Sequence, residues 1–337
     1  MDYLVSPCYF GVPNNEKREV SFEITNCCNL HCIHCMNDST QKSSNIGLPW
    51  EKMTVLIDEL YENDFSEIYI SGGEPTQYPF FRQLIKKTKS LGMLTLVATN
   101  AYDIEPYLED IKKYVDVVFV SIDGISETHN HFRGVPDAYQ KTIANISRMV
   151  ELNIPVRIST TVSKNNISQL EELISEIKKI GIFQIHFTVL VNVGRAKHSD
   201  ILVSNEEYIY ISEKINNLKE KYEQEDFLIT TRRNAPLSDK TEPCYGGKKM
   251  FHIDACGNVS PCSYVAKCQL GQPYKTKWTL GRLPQCLNNC SKFQDVCKKR
   301  DSYFGHSSCA ALASLTDDSD HMFSLDPLDI IFKDKEL

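Results

Sequence analysis

No run of eighteen apolar residues occurs in this chain, which excludes a hydrophobic helix spanning a membrane. Basic excess is also missing: 37 Lys and Arg stand against 44 Asp and Glu, a formal net charge of −7. Nucleic-acid binders neutralise phosphates with basic side chains, so this balance argues against that class. The opening Met1-Asp2-Tyr3 has neither a basic n-region nor an apolar h-region, so no secretory signal is expected. Disulfide frameworks belong to small exported chains, and 337 residues without such a signal do not suit one. The thirteen cysteines therefore point to metal ligation in a reducing cytoplasm. At this length and 42% apolar content, one large domain, or one plus a small one, is expected.

What is present begins with Cys28-x3-Cys32-x2-Cys35, directly after the alternating segment Val20-Ser21-Phe22-Glu23-Ile24. Thiolates clustered at a strand end, where a loop can curl around a guest, suit an iron–sulfur cluster. Three ligands on a four-iron cubane leave one iron open to a small molecule. A structural zinc site would need a fourth tight ligand from Cys27, His31 or His34, and the second CxxC-like pair is lacking. Cys27 lies outside the motif and is expected to pack rather than to ligate.

From residue 20 to about 192 the pattern alternates strand and helix. Short β-branched or aromatic runs at 20–25, 67–71, 94–99, 116–121, 155–161 and 184–190 suit parallel strands covered on both faces. Between them, Trp50, Met53, Ile57, Leu60 and Tyr61 form one helical stripe over 50–63, and Ile167, Leu170, Leu173, Ile174 and Ile177 another over 165–180. The fold class is α/β: six β-α units with right-handed crossovers predict a parallel sheet, either open or curled into a partial (β/α)6 TIM-like barrel. Chemistry in such folds gathers at the C-terminal strand ends.

The strand ends carry polar groups. Ser71-Gly72-Gly73-Glu74-Pro75 combines glycines that let backbone approach a ligand with a proline that stiffens the exit, and taken alone it is also an ordinary turn. Asn100 ends one strand, and Ser121 and Asp123 end the next, followed by His129, His131 and Arg133. Such side chains can bond a ribose and a carboxylate, with arginine suited to bidentate capture. Asp123-Gly124 is equally readable as a turn, and the two histidines as surface residues of a loop. Arg195, after the sixth strand, faces either a substrate or the solvated rim, with the rim favoured.

Cys28-Asn29-Leu30-His31-Cys32-Ile33-His34-Cys35 resembles the CxxxCxxC signature of the radical S-adenosylmethionine (radical SAM) superfamily, with His34 where many members carry an aromatic residue. The resemblance implies a [4Fe–4S] cluster held by Cys28, Cys32 and Cys35, with S-adenosylmethionine chelated at the open iron. It implies reductive cleavage to methionine and a 5′-deoxyadenosyl radical that abstracts hydrogen from the substrate. Gly72, Gly73 and Glu74 match the segment that holds the methionine amino group. Ser121 and Arg133 fall near ribose and carboxylate, with Asn100 and Asp123 as neighbours of cofactor or substrate.

Eight cysteines fall between 244 and 309. Met250 to Ser260 has the pattern of a β-hairpin with a Cys-Gly-Asn turn, which sets Cys244 and Cys262 side by side. Cys286, Cys290, Cys297 and Cys309 can supply further ligands. This block resembles the SPASM and Twitch extensions of radical SAM enzymes, and Asp326-Pro327 resembles their terminal signature. The resemblance implies at least one auxiliary [4Fe–4S] cluster, most firmly on Cys244 and Cys262; zinc is the alternative. Cys256 and Cys268 match no family ligand and are either inert or donors of hydrogen to a substrate radical; Cys8 is a third unassigned thiol. The expected organisation is an N-terminal extension (1–18), the barrel (19–200), a bridge (201–240) and a small cysteine-rich α+β auxiliary cluster domain (241–337).

The substrate implied by such extensions is a ribosomally made peptide, changed by epimerisation or by a thioether or carbon–carbon crosslink. A sugar or tetrapyrrole is the alternative, and a non-catalytic iron–sulfur redox sensor a reading of another class. Implied partners are a flavodoxin or ferredoxin as reductant and a separate leader-peptide-binding protein, because about eighteen residues before the first strand leave no room for a fused one.

Overall fold

The structure, a computed structural model, describes residues 17–197, 199–223, 226–231 and 244–304. Cys8, Cys309, Asp326-Pro327 and most of the 201–240 bridge's second half lie outside the described residues.

Six strands follow the expected alternation: β1 (Arg18–Glu23), β2 (Phe65–Ser71), β3 (Leu94–Thr99), β4 (Val117–Ser121), β5 (Val156–Val162) and β6 (Gln184–Val189). Each pairs in parallel with the next in sequence. Between them run α1 (Trp50–Glu62), α2 (Phe81–Ser90), α3 (Leu108–Tyr114), α4 (Glu127–Arg133), α5 (Ala138–Glu151) and α6 (Leu170–Lys179). The result is the partial barrel of the α/β class. A seventh parallel strand, β7 (Leu228–Thr231), extends it beyond β6 after α7 (Asn205–Glu223).

The two-residue period of the strands sorts their side chains. Val20 and Phe22 of β1, Ile68 and Ile70 of β2, and Val118 and Val120 of β4 join the large core against the helices. The alternate residues Leu96, Phe119 and Tyr69 pack together as a separate interior cluster. On the helix side, α1 buries Met53, Leu56, Ile57 and Leu60, each contributing about 1.5–3 kcal/mol. Tyr61, expected on that stripe, is half exposed, and Leu56 takes its place because it falls one turn before Leu60. Ile167 likewise lies in a 3₁₀ turn ahead of α6 rather than on the helix.

The cysteine-rich segment joins the barrel's own sheet. β8 (Met250–Ile253) pairs in parallel with β1, β9 (Asn258–Ser260) returns antiparallel to it, and β10 (Thr276–Lys277) adds to β9. The hairpin turn is the expected one: the Asp254 carboxylate accepts from the Cys256 and Asn258 amides at 3.0 and 2.9 Å. Two helices follow, α8 (Leu283–Ser291) and α9 (Phe293–Phe304). The buried Glu59 of α1 ties this segment down by accepting from Trp278 Nε1 (3.2 Å), Gly281 N (2.7 Å) and Leu283 N (3.1 Å). Among the described residues, no helix is long and apolar enough to cross a membrane.

Candidate active site

The last inward-facing residue of each of five successive strands, Ser71, Ala98, Ser121, Thr161 and Thr188, lines one cavity of about 260 Å³. Strand parity puts them there, since each sits two or four residues beyond an interior side chain. Cys28, Cys32 and Cys35, on the loop leaving β1, line the same cavity, as do Gly72, Gly73, Asn100, Arg133 and His34. An apolar wall of Val189, Leu190, Val191 and Val193, with Tyr264 from the cysteine-rich segment, completes it.

The cysteine loop is held from three sides. Gly73 N donates to Thr25 O and Glu74 N to Cys27 O, both at 2.8 Å; a Cβ on Gly73 would overlap the Cys27 carbonyl. Ile33 N donates to Phe132 O at 3.0 Å. From the β6 exit, Arg195 N donates to Cys35 O at 3.0 Å, and Gly194 (φ 61°) has no room for a side chain against that carbonyl. The Arg195 guanidinium then reaches Cys32 O (2.7 Å), Asp38 Oδ1 (2.7 Å) and Ser39 O (2.9 Å). The expectation of a rim arginine is corrected: a fork donor among carbonyls clamps the loop instead.

Each of the three sulfurs meets an N–H donor. Ser39 N lies 3.4 Å from Cys35 Sγ, Arg133 Nη1 3.6 Å from Cys32 Sγ, and Asn100 Nδ2 3.9 Å from Cys28 Sγ. Burial, then the nearby Glu74 carboxylate, push the Cys28 thiol up to about 12. Burial also raises Cys32, against the opposing charge of Arg133. Without a cationic guest these thiols hold their protons, and a metal must displace them. The donor set fits an iron–sulfur cluster: thiolates converging on one cavity, backed by N–H groups of the kind that stabilise cluster sulfurs. Among the described residues, no group of three His, Cys, Asp or Glu side chains is placed to hold a single metal ion.

Two of the residues expected at the cofactor, Glu74 and Asp123, are held by protein partners. Glu74 is buried, accepting from Thr99 Oγ1 and Asn100 N at 2.8 Å each, Thr76 Oγ1 at 3.1 Å and Thr76 N at 3.4 Å. Its carboxylate joins the glycine loop to the end of β3. Asp123 is fully buried, 2.6 Å from Arg133 Nη2 and accepting Thr161 N at 2.9 Å. Burial alone would make the carboxyl a weaker acid, but the Arg133 charge, together with His34, His129 and the Thr161 amide, outweighs burial and holds it below its usual range. His129 is corrected from a loop-surface residue to a buried one on α4; its Nδ1 accepts the Asp123 amide at 3.1 Å, and burial depresses it to about 3. His131 is exposed, on that same helix.

In the cysteine-rich segment the thiols fall into two groups. Cys262, Cys268 and Cys297 share a buried cluster with Val193, Met250, Val265 and Phe293, and Cys244 packs against it. Cys286 and Cys290 sit one turn apart on α8 and join the main core, where burial pushes Cys290 up to about 12. Cys256 is exposed at the hairpin turn, its sulfur 3.1 Å from Asn45 Nδ2. Neither Cys256 nor Cys268 lines the cavity.

Sequence reasoning passed over Thr161, Thr188 and the Arg195 clamp. Strand parity could have found the first two; the clamp leaves no local signal.

A parallel partial barrel that gathers three cysteines, a double-glycine cradle and strand-end hydroxyls at one mouth defines a cluster-dependent enzyme that binds a small polar cofactor. The Radical SAM superfamily model matches residues 22–190, half of the chain, and the chain belongs to that superfamily. Its reaction therefore uses a [4Fe–4S] cluster and S-adenosylmethionine. An AdoMet-dependent heme synthase of Methanosarcina barkeri is 27% identical over 309 residues, covering 84% of this chain and 88% of that protein. The sporulation killing factor maturation protein SkfB of Bacillus subtilis is 25% identical over 246 residues, 72% of this chain and 59% of SkfB. The solved structure of native anSMEcpe with bound AdoMet superposes with a TM-score of 0.72 at 16% identity, over 94% of this chain and 95% of that one, a likeness of fold.

Proposed function

We propose that Cys28, Cys32 and Cys35 ligate the [4Fe–4S] cluster, and that the enzyme modifies a ribosomally made peptide by hydrogen abstraction. The observation that carries the ligand assignment is the N–H donor met by each of the three sulfurs on the wall of one cavity. Reductive cleavage of S-adenosylmethionine, and with it removal of a carbon-bound hydrogen, is the chemistry the cluster supplies when bound. Gly72 and Gly73 let the backbone approach the cofactor's methionine end, Asn100 and Ser121 offer hydrogen bonds to its polar groups, and Glu74 fixes both loops. The apolar wall from Val189 to Val193 shields the reacting carbon from water.

An auxiliary [4Fe–4S] cluster on residues 241–337 is part of the same proposal. Cys262, Cys268 and Cys297 gather in one buried cluster, with the half-buried Cys244 packed against it as a fourth thiol; Cys286 and Cys290 stand apart as a second pair. A flavodoxin or ferredoxin as reductant, and a separate leader-peptide-binding protein, are the partners this reading calls for. An exposed Cys256 and a buried Cys268, both off the cavity, suit oxidation or crosslinking better than epimerisation by thiol-donated hydrogen.

Peptide modification is supported by the similarity to SkfB, a maturation protein. A second reading, a tetrapyrrole substrate, is favoured by the end-to-end similarity to the heme synthase. The test is anaerobic incubation of the reconstituted enzyme, S-adenosylmethionine and reductant with short peptides encoded beside its gene, and separately with a tetrapyrrole. A mass loss of one hydrogen pair, or deuterium uptake from solvent, in a peptide supports the proposal. Turnover of the tetrapyrrole alone overturns it.

A further inference from the structure

A buried chain of charges runs back from the cavity wall. Arg133 is 6% exposed and Asp123 0%. Arg133 Nη1 points at Cys32 Sγ (3.6 Å) while Nη2 contacts Asp123 Oδ2 (2.6 Å). Asp123 Oδ2 also lies 3.4 Å from His34 Nε2, and His34 sits one residue before Cys35 on the cavity wall. The carboxylate is fixed by Thr161 N, which donates to Oδ1, and the residue's backbone by Asn166 Nδ2, which donates at 2.8 Å to the Asp123 main-chain carbonyl. His129 closes the far side, neutral and buried.

Arg133 thus spends two of its donor nitrogens on a sulfur and a carboxylate, and its Nε has no hydrogen-bond partner among the described residues. An arginine whose role was cofactor-carboxylate capture would keep its fork open to the cavity. A buried cation on a cluster sulfur does something else. It stabilises the more negative, reduced state, because the added electron resides on the cluster and its thiolates. A buried anion 2.6 Å behind the cation offsets that effect.

We infer that Arg133 and Asp123 form a tuning pair that sets the reduction potential of the cluster on Cys28, Cys32 and Cys35, with Arg133 raising it through Cys32 and Asp123 lowering it. Both are positioning residues acting through Cys32. The inference rests on the ligand assignment above and goes beyond it by giving the pair opposite signs. A cluster reduced too easily reacts idly with S-adenosylmethionine, whereas one reduced with difficulty stalls; opposed charges hold it between.

The test is an anaerobic redox titration of reconstituted enzyme followed by electron paramagnetic resonance, without turnover. Wild type is compared with R133M, D123N and the double variant R133M/D123N. The signal that changes on adding S-adenosylmethionine distinguishes this cluster from any other in the chain. The expected result is a lower midpoint for R133M, a higher one for D123N, and an intermediate one for the double variant. R133M leaves a buried carboxylate unpaired and D123N a buried cation; the double variant removes both charges and keeps the comparison available if either single variant fails to fold. Midpoints that stay at the wild-type value, or move in the same direction in both single variants, overturn the inference. Wild-type protein that assembles no cluster responsive to S-adenosylmethionine instead overturns the ligand assignment.

Discussion

Glu74 lies in the matched glycine motif, yet its carboxylate is occupied by protein, and this separates two accounts of the residue. In the structure it accepts four hydrogen bonds, the two shortest from Thr99 Oγ1 and Asn100 N at 2.8 Å. Glu74→Ala strands the buried Asn100 amide, which cannot re-aim, and leaves both threonine hydroxyls to find other acceptors. An unsatisfied buried donor costs about 1–3 kcal/mol, and the loss of packing adds to it, so about 3 kcal/mol is expected in all. Glu74→Gln keeps one carbonyl oxygen for Asn100 N and turns its amide toward the hydroxyl oxygens, giving up only the long 3.4 Å bond from Thr76 N, so the cost stays under about 1 kcal/mol. Burial already raises the Glu74 carboxyl above its usual range, which makes the neutral amide a closer mimic. The assay is anaerobic denaturant unfolding of the three holoenzymes, with S-adenosylmethionine affinity measured alongside. Glu74→Ala should weaken the cofactor at least tenfold, as Asn100 loses its tether, while Glu74→Gln stays near wild type. A Glu74→Gln enzyme as damaged as Glu74→Ala would refute the reasoning, since it would mean that the carboxylate charge itself meets the cofactor.

Three further outcomes follow from the geometry. Replacing Cys28, Cys32 and Cys35 together by alanine should abolish 5′-deoxyadenosine formation while iron bound by the C-terminal cysteines remains; iron analysis of the purified variant checks this. Arg195→Ala removes three side-chain hydrogen bonds from the cysteine loop, and iron release to a chelator should accelerate roughly tenfold, with Arg195→Lys in between. At the opposite end of the barrel, burial and then the charge of Glu19 push Glu67 up to about 8, against the opposing pull of Arg157. A carboxyl raised in the folded state stabilises the fold below its unfolded value of 4.5 in its protonated form, and that contribution is lost as pH rises through 8. Glu67→Gln should therefore stabilise the protein by on the order of 2 kcal/mol at pH 8–9 and leave it unchanged near pH 4, as read by unfolding at each pH.

The barrel was legible because its signals are local. β-branched runs, two-residue alternation and amphipathic helices set the six strands to within about two residues, and the hairpin at Met250 announced itself through its Cys-Gly-Asn turn. Part of the cavity lining was legible for the same reason, as Gly72, Gly73, Asn100 and Ser121 all sit at strand ends. What stayed hidden depends on partners far away in sequence. β8 pairs with β1 across more than two hundred residues, and nothing in Phe251 or His252 names that edge. Arg195 and Cys32 meet across 163 positions. His129 has the composition of a polar loop, and only the Asp123 amide that it accepts explains its burial. The grouping of Cys268 with Cys262 and Cys297 depends on how the segment after β9 folds onto α9, which cysteine spacing alone does not encode.

A cluster held by Cys28, Cys32 and Cys35 should make this cavity the place where S-adenosylmethionine is cleaved. The most direct test is anaerobic reconstitution with iron and sulfide, reduction in the presence of S-adenosylmethionine and of candidate substrates, and quantification of 5′-deoxyadenosine against bound iron. Wild type should form 5′-deoxyadenosine and hold about eight irons per chain, and the Cys28, Cys32 and Cys35 triple variant should form none. A fully loaded, reduced wild-type enzyme that forms no 5′-deoxyadenosine with any candidate substrate would contradict it and leave the redox-sensor reading in its place.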